Sequence, residues 1–112
     1  MSEDLNDIQI VLGKSIELLD EYGWIQGSFG DKATGFCARG AIMEATKEVM
    51  ADRDWPNYPA IHDFEVEKAL GKVLPNRARS NIAVWNDDMK PPFAKFRVKR
   101  KFRQAIKKAG AL

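Results

Sequence analysis

The chain has 112 residues, 45% of them hydrophobic and 30% charged, which suits one packed domain and is too short for two. A single cysteine excludes an internal disulfide, and one cysteine with one histidine argues against a structural zinc site. No apolar run approaches the roughly 18 residues of a membrane span, and the acidic start MSEDLNDIQI is unlike a secretory signal. We therefore expect a cytoplasmic protein with no membrane span, no metal and no cofactor.

The first predicted element is a helix over residues 5–22. Its apolar residues fall within one broad stripe at helical spacing, and its charged residues occupy the other side. Ser2 or Asp4 is the expected N-cap, and Gly23 is the expected stop. This pattern is typical of a half-buried helix.

Residues 23–35 are glycine-rich and read as a loop in which Trp24 and Phe29 anchor the chain on the core, with room for a short hairpin within residues 25–36. Thr34 is the expected N-cap of a second helix over 36–51. Gly40 lies on a face of small residues in that helix, which predicts a close approach of another backbone.

The next stretch, residues 52–62, is rich in turn formers, with Trp55 and Tyr58 as expected packing anchors. A third helix is predicted over 63–74, with Asp63 as its N-cap and Pro75 after its end. Residues 79–85 predict a further helical turn or two.

The last predicted helix covers about residues 93–109. Its apolar residues cluster within roughly 100° of arc on the helical wheel, and lysine and arginine cover the rest. The apolar set is Val98, Phe102, Ala105, Ile106 and Ala109. Together these elements predict an all-α fold, a single compact domain over residues 1–112 with about four helices and aromatic-anchored loops.

Charge is distributed very unevenly along the chain, although the net charge is only +2. Residues 1–88 carry nine lysines and arginines against all sixteen acids, whereas residues 89–112 carry nine and no acid. Such asymmetry indicates a polyanionic partner. The alternative is that the basic end lies against the acidic body of its own fold or of a second copy.

Three short motifs follow one another along the chain: W-x-x-G at residues 24–27, C-A-x-G-A at residues 37–41 and I-x-x-W-N-D at residues 82–87. Over about residues 12–109 the chain thereby resembles a small uncharacterised family, a domain of unknown function found in actinobacteria and bacteriophage genomes. The resemblance implies a compact helical domain of phage or prophage origin and brings no activity with it. The last helix is more cationic than the family pattern, so a role for it would be specific to this protein.

Cys37 is the first candidate for chemistry. In the first turn of the second helix, the helix dipole would lower the pKa of its thiol. A pair with His62, oriented by Asp63 or Asn86, would make a thiol nucleophile. The favoured alternative is a small buried residue at a helix contact, with His62 a helix-entry residue.

The other candidates are weaker. The Asn-Asp-Asp run at 86–88 could hold a metal, but a helix stop followed by a helix cap explains it better. The glycines of residues 23–35 do not form a phosphate-binding loop, because the lysine and Ser/Thr of such a loop are absent in register. Trp24, Trp55 and Trp85 could stack on a base, and core packing is the favoured alternative.

The cationic side of the last helix is the strongest functional signal. It predicts a non-enzymatic accessory binding protein that contacts nucleic acid without sequence readout, or an acidic protein surface; an anionic lipid surface would suit the same features. The alternatives are a structural or self-assembling subunit, with homo-oligomers, and a thiol-dependent enzyme centred on Cys37. The predicted partner-binding residues are Arg97, Lys99, Arg100, Lys101, Arg103, Lys107 and Lys108.

Overall fold

The structure, a computed structural model, describes residues 5–53, 60–78 and 81–110. Its elements, in chain order, are α1 (Asp7–Tyr22), β1 (Gly30–Asp31), β2 (Gly35–Phe36), α2 (Ala38–Ala51), α3 (Asp63–Gly71), a 3₁₀ turn (Asn76–Ala78), α4 (Ile82–Asp88) and α5 (Ala94–Ala109). The mainly helical class is confirmed. There are five α-helices in the described residues rather than about four, because the segment predicted as a turn or two is the separate helix α4.

Helix α1 begins later than predicted. Its N-cap is Asn6, not Ser2 or Asp4, which lie outside the described residues. The Asn6 side chain accepts from the Gln9 backbone N–H at 2.9 Å, and the Gln9 side chain accepts from the Asn6 N–H at 3.0 Å. This reciprocal capping box satisfies two backbone donors and fixes the start of the helix. Gly23 ends α1 as predicted, at φ 102°.

A two-stranded antiparallel hairpin follows α1, with Gly30 opposite Phe36. Thr34 does not cap α2 as predicted, because it closes this hairpin. The Asp31 carboxylate accepts from the backbone N–H groups of Ala33 and Thr34, both at 2.9 Å, and from the Thr34 hydroxyl at 3.1 Å. The N-cap of α2 is Cys37 instead.

The loop before the hairpin packs differently from the prediction for Phe29. Trp24 is half-buried as expected, but the Phe29 side chain is 47% exposed. It is the backbone of Phe29 that packs inward. A Cβ added to Gly40 would lie 1.9 Å from the Phe29 carbonyl oxygen. The predicted close approach at Gly40 is therefore present, and its partner is the loop rather than another helix.

Helix α3 also differs at both ends. Its N-cap is His62 rather than Asp63, and the His62 side chain makes no capping hydrogen bond. The helix ends at Gly71, and the chain continues in turns as far as Pro75. The predicted anchors Trp55 and Tyr58 lie outside the described residues.

One core joins the helices. Helix α1 lies between α2 and α5 and makes its largest interfaces with these two. No helix in the described ranges is both long enough and apolar enough to cross a membrane. The fully buried core residues include Val11, Leu12, Leu19, Ala41, Ile42, Val66, Leu70, Val98 and Phe102.

Candidate nucleic-acid interface

The inner face of α5 is anchored in the core. Val98 and Phe102 are fully buried, and Ala105 is almost so, as the helical wheel predicted. At the far end, the side-chain amides of Asn6 and Gln9 donate to the carbonyls of Ala109 and Ile106, at 3.0 and 2.9 Å. The Asn6 amide pairs a carbonyl that the helix C-terminus leaves unpaired, and the Gln9 amide shares the Ile106 carbonyl with the Gly110 N–H. Helix α5 is therefore held at its side and at its end.

The outer face of α5 carries the predicted cations. Five of the seven are exposed and two, Lys99 and Lys101, are half-buried. We define the cationic face as the five exposed ones: Arg97, Arg100, Arg103, Lys107 and Lys108.

Three of the seven predicted cations have partners within the chain. Lys99 forms an ion pair with Asp20 of α1, so here the basic end does meet its own acidic body. The Arg97 guanidinium donates to the Lys90 carbonyl, and the Lys101 ammonium donates to the Gln104 side chain at 3.2 Å. Among the described residues, the other four cations form no ion pair with an acid.

The exposed side chains form two parallel rows along α5. At about 100° and about 1.5 Å per residue, side chains three and four apart lie above one another, and the two rows extend about 16 Å and about 22 Å. Each row starts with a phenylalanine and continues with cations, except that the second row also contains the neutral Gln104. The first row is Phe96, Arg100, Arg103 and Lys107; the second is Phe93, Arg97, Gln104 and Lys108.

The two phenylalanines are the part of this surface that the sequence analysis missed. Phe93 is 75% exposed and Phe96 is 58% exposed, and both line one shallow groove with Pro92 and Arg97. The sequence did indicate the exposure of Phe96, because this residue falls outside the apolar arc of the helical wheel that contains Val98 and Phe102.

The charge of α5 disfavours the isolated helix. No acid lies in its first turn, where the helix dipole favours negative charge. Arg100 lies three residues from both Arg97 and Arg103, and like charges at such spacings cost a few tenths of a kcal/mol each, about 0.2–0.5. Arg97, Arg100 and Arg103 therefore do not stabilise their own helix, whereas Lys107 and Lys108 lie in its last turn, where the dipole favours cations.

The three sequence motifs meet around Asn86, which is completely buried. Its Oδ1 accepts from the Trp24 indole N–H at 2.6 Å and from the Ala38 N–H at 2.9 Å. Its Nδ2 donates to the Ile25 carbonyl at 3.0 Å. Every polar atom of this side chain is therefore engaged in joining the loop, α2 and α4.

The neighbouring residues complete the same junction. Asp87 accepts from the Gly27 N–H at 2.9 Å, and the Gln26 amide donates to the carbonyls of Asn86 and Met89 at 3.0 and 2.7 Å. The prediction that the run at 86–88 is only a stop and a cap is wrong for Asn86, which lies in the interior. The arrangement is that of a structural junction.

Cys37 is the N-cap of α2 rather than a first-turn residue, and its Sγ accepts from the Gly40 N–H at 3.3 Å. Burial raises the pKa of the thiol, outweighing the lowering by the N–H groups of Gly40 and Arg39, while the Asp87 carboxylate raises it further. The expected lowering of this pKa is therefore wrong. A cavity of about 190 Å³ beside Cys37 is lined also by Gly27, Ser28, Phe29, Ala83 and Asp87, without His62.

Arg39, which could have activated the thiol, is engaged elsewhere. Its Nε lies 2.7 Å from a Glu67 carboxylate oxygen, and its guanidinium lies over the Phe29 ring at 5.2 Å. Burial raises the pKa of Glu67, although Arg39 acts in the opposite direction. His62 stacks on Phe64 at 5.3 Å. The structure thus gives Cys37 and His62 separate neighbours.

We expect Cys37 to be unreactive in the folded protein. A buried thiol with a raised pKa presents little thiolate, so alkylation by iodoacetamide at neutral pH should be at least about tenfold slower than in denaturant. Mass spectrometry over a time course measures both rates. Equal alkylation rates in the folded and denatured chain would contradict the burial of Cys37 and would favour the alternative that it is a thiol nucleophile.

The remaining candidates are not assembled. Among residues 5–53, 60–78 and 81–110, no three His, Cys, Asp or Glu side chains are placed to hold a metal ion. Trp85 is buried in the core and Trp24 is hydrogen-bonded to Asn86, whereas Trp55 lies outside the described residues. The two described tryptophans therefore do not form an exposed stacking platform.

Fold and surface together define a small, mainly helical domain with one core and one cationic outer helix. The chain matches a family of unknown function, DUF6197, over residues 5–108 and belongs to that family. No curated protein and no solved structure matches the chain.

Proposed function

We propose that the protein is a non-enzymatic binding protein that holds nucleic acid through phosphate contacts of the cationic face. The observation that carries the proposal is a set of five exposed cations, none of which forms an ion pair with an acid in the described part of the chain. Lysine and arginine in such rows replace the counterions of a phosphate backbone. The proposal includes a cytoplasmic location and an accessory role, together with the phage or prophage origin that the resemblance implies.

The stability of the helix supports this assignment. Three arginines of the cationic face, Arg97, Arg100 and Arg103, repel one another, and only Lys107 and Lys108 lie in the last turn, where the helix dipole favours cations. A polyanion would remove the repulsion among the arginines when it binds. The side and end anchors of α5 keep the rows in place without a partner, so little ordering is needed on binding.

The test is a fluorescence-anisotropy titration with generic duplex DNA over a series of salt concentrations. If Arg100, Arg103, Lys107 and Lys108 each neutralise one phosphate, the logarithm of affinity should fall with the logarithm of salt at a slope of about −3 to −4. The triple variant Arg100→Glu, Arg103→Glu and Lys107→Glu should bind at least about 100-fold more weakly.

The matched control reverses three exposed lysines outside α5, at Lys47, Lys68 and Lys72, and so has the same net charge. It should keep most of the affinity. The α5 variant should remain folded, because all three substituted side chains are exposed and lie outside the buried face of the helix. Equal binding by the α5 variant and the wild type would overturn the proposal.

An acidic protein surface is the other partner that the same face would fit. Exposed acids of α1, Glu17 and Glu21, could supply such a surface on a second copy. This arrangement predicts salt-sensitive self-association in light scattering and no binding of DNA at low salt. These two results together would mean that the cationic face binds a second copy of the chain and not nucleic acid.

A further inference from the structure

The start of α5 presents aromatic rings where the rest of the helix presents cations. Phe93 and Phe96 are among the most exposed large apolar side chains of the described chain, and both belong to the rows of the cationic face. Together with Pro92 and Arg97 they line a groove of about 570 Å³. The groove is continuous with the cations, so one ligand can occupy both.

The backbone at Phe93 adds an independent observation. Phe93 is the N-cap of α5, has φ 66° and ψ 22°, and provides no capping hydrogen bond. A bulky residue in the left-handed region is unusual, and glycine or asparagine would serve this position better. Side chains that are kept at the expense of local stability are typical of functional positions.

We propose that Phe93 and Phe96 stack on unpaired bases, so that the nucleic acid held by the cationic face is single-stranded. This inference rests on the proposed function and names its ligand class. Aromatic rings beside cations are the usual means of binding single strands without sequence preference, because every base has a flat face. In a duplex the bases are already stacked, and the two rings would have nothing to contact.

A membrane surface fits the same groove less well. A helix that lies in a membrane interface uses its whole apolar face, but the apolar face of α5 is buried in the core through Val98 and Phe102. Only two rings at one end remain for lipid. Charge complementarity along the full length of both rows favours a chain of phosphates.

The experiment compares an oligo(dT) strand of roughly 12 nucleotides with a duplex of the same length. The wild type should prefer the single strand. Phe93→Leu and Phe96→Leu keep apolar bulk and remove the aromatic face, and each should weaken single-strand binding about tenfold. Duplex affinity should change by less than about twofold, because phosphate contacts remain.

Two further readouts separate stacking from general damage. The leucine variants should leave the salt slope unchanged, whereas the triple charge reversal should reduce it. Phe93→Gly should raise the thermal midpoint while it weakens single-strand binding, because glycine relieves the left-handed backbone. Phe64→Ala removes another exposed phenylalanine, on α3, and should leave binding unchanged.

Each other outcome identifies a different error. If duplex and single strand bind equally and the leucine variants have no effect, the stacking site is overturned and the proposed function is left intact. No binding of either nucleic acid by the wild type would overturn both. Stronger effects of the same variants on co-sedimentation with phosphatidylserine vesicles, or on self-association, would assign the groove to lipid or to a second copy.

Discussion

Replacing Asn86 by alanine should lower the free energy of unfolding by about 4 kcal/mol, because it leaves one buried and two partly buried groups without partners at about 1–3 kcal/mol each. These groups are the Trp24 indole N–H, the Ala38 N–H and the Ile25 carbonyl. Asn86→Asp should be almost as damaging, since a carboxylate cannot donate to the Ile25 carbonyl and would be buried beside Asp87. Urea unfolding followed by circular dichroism measures both variants.

The matched control is Asn81→Ala, in the same part of the chain. Asn81 is the exposed N-cap of α4 and accepts from the Val84 N–H at 3.1 Å, so its loss should cost only about 1 kcal/mol. Trp24→Phe removes one donor to Asn86, and its effect should not add to that of Asn86→Ala. Equal effects of Asn81→Ala and Asn86→Ala would show that the junction is not the main constraint on the loop.

The substitution of glycine by alanine should have opposite effects in two helices. At Gly40 the new Cβ would overlap the Phe29 carbonyl, and backbone must move, which should cost about 3 kcal/mol. At Gly13, inside α1, no atom outside the helix's own backbone lies within 4 Å of the added Cβ. Helix propensity then dominates, and the variant should gain about 0.5–1 kcal/mol.

Paired urea titrations of Gly40→Ala and Gly13→Ala measure the contrast directly. The slope of each unfolding curve should stay unchanged, because neither variant alters the surface exposed on unfolding. A gain in stability at Gly40 would mean that the Phe29 backbone does not approach α2. A loss at Gly13 would contradict the open space beside that position.

Local patterns predicted the helices well. The burial of Val98 and Phe102 follows from a spacing of three to four residues, which is contained within one segment. The caps were harder to predict, because several short polar residues near a helix start compete for the same N–H groups. Asn6 took this role in α1, and Thr34 closed a hairpin instead of capping α2.

The site was predictable only in part, because some of its contacts join residues that are far apart in sequence. The cations of α5 follow from composition and helical phase, but the pairing of Lys99 with Asp20 joins two helices far apart in sequence. The role of Asn86 depends on hydrogen bonds to residues about 50–60 positions away, which periodicity does not encode. The exposure of Phe96 could have been predicted from the same helical wheel that placed Val98 in the core.

The buried face and the outer rows of α5 share no residue. Val98 and Phe102 are buried in the core, whereas Arg100 and Arg103 are exposed. Substitutions at Arg100 and Arg103 should therefore cost little free energy of folding. Under the proposed function, changes to a handful of codons in α5 would change the ligand while the scaffold beneath stays the same.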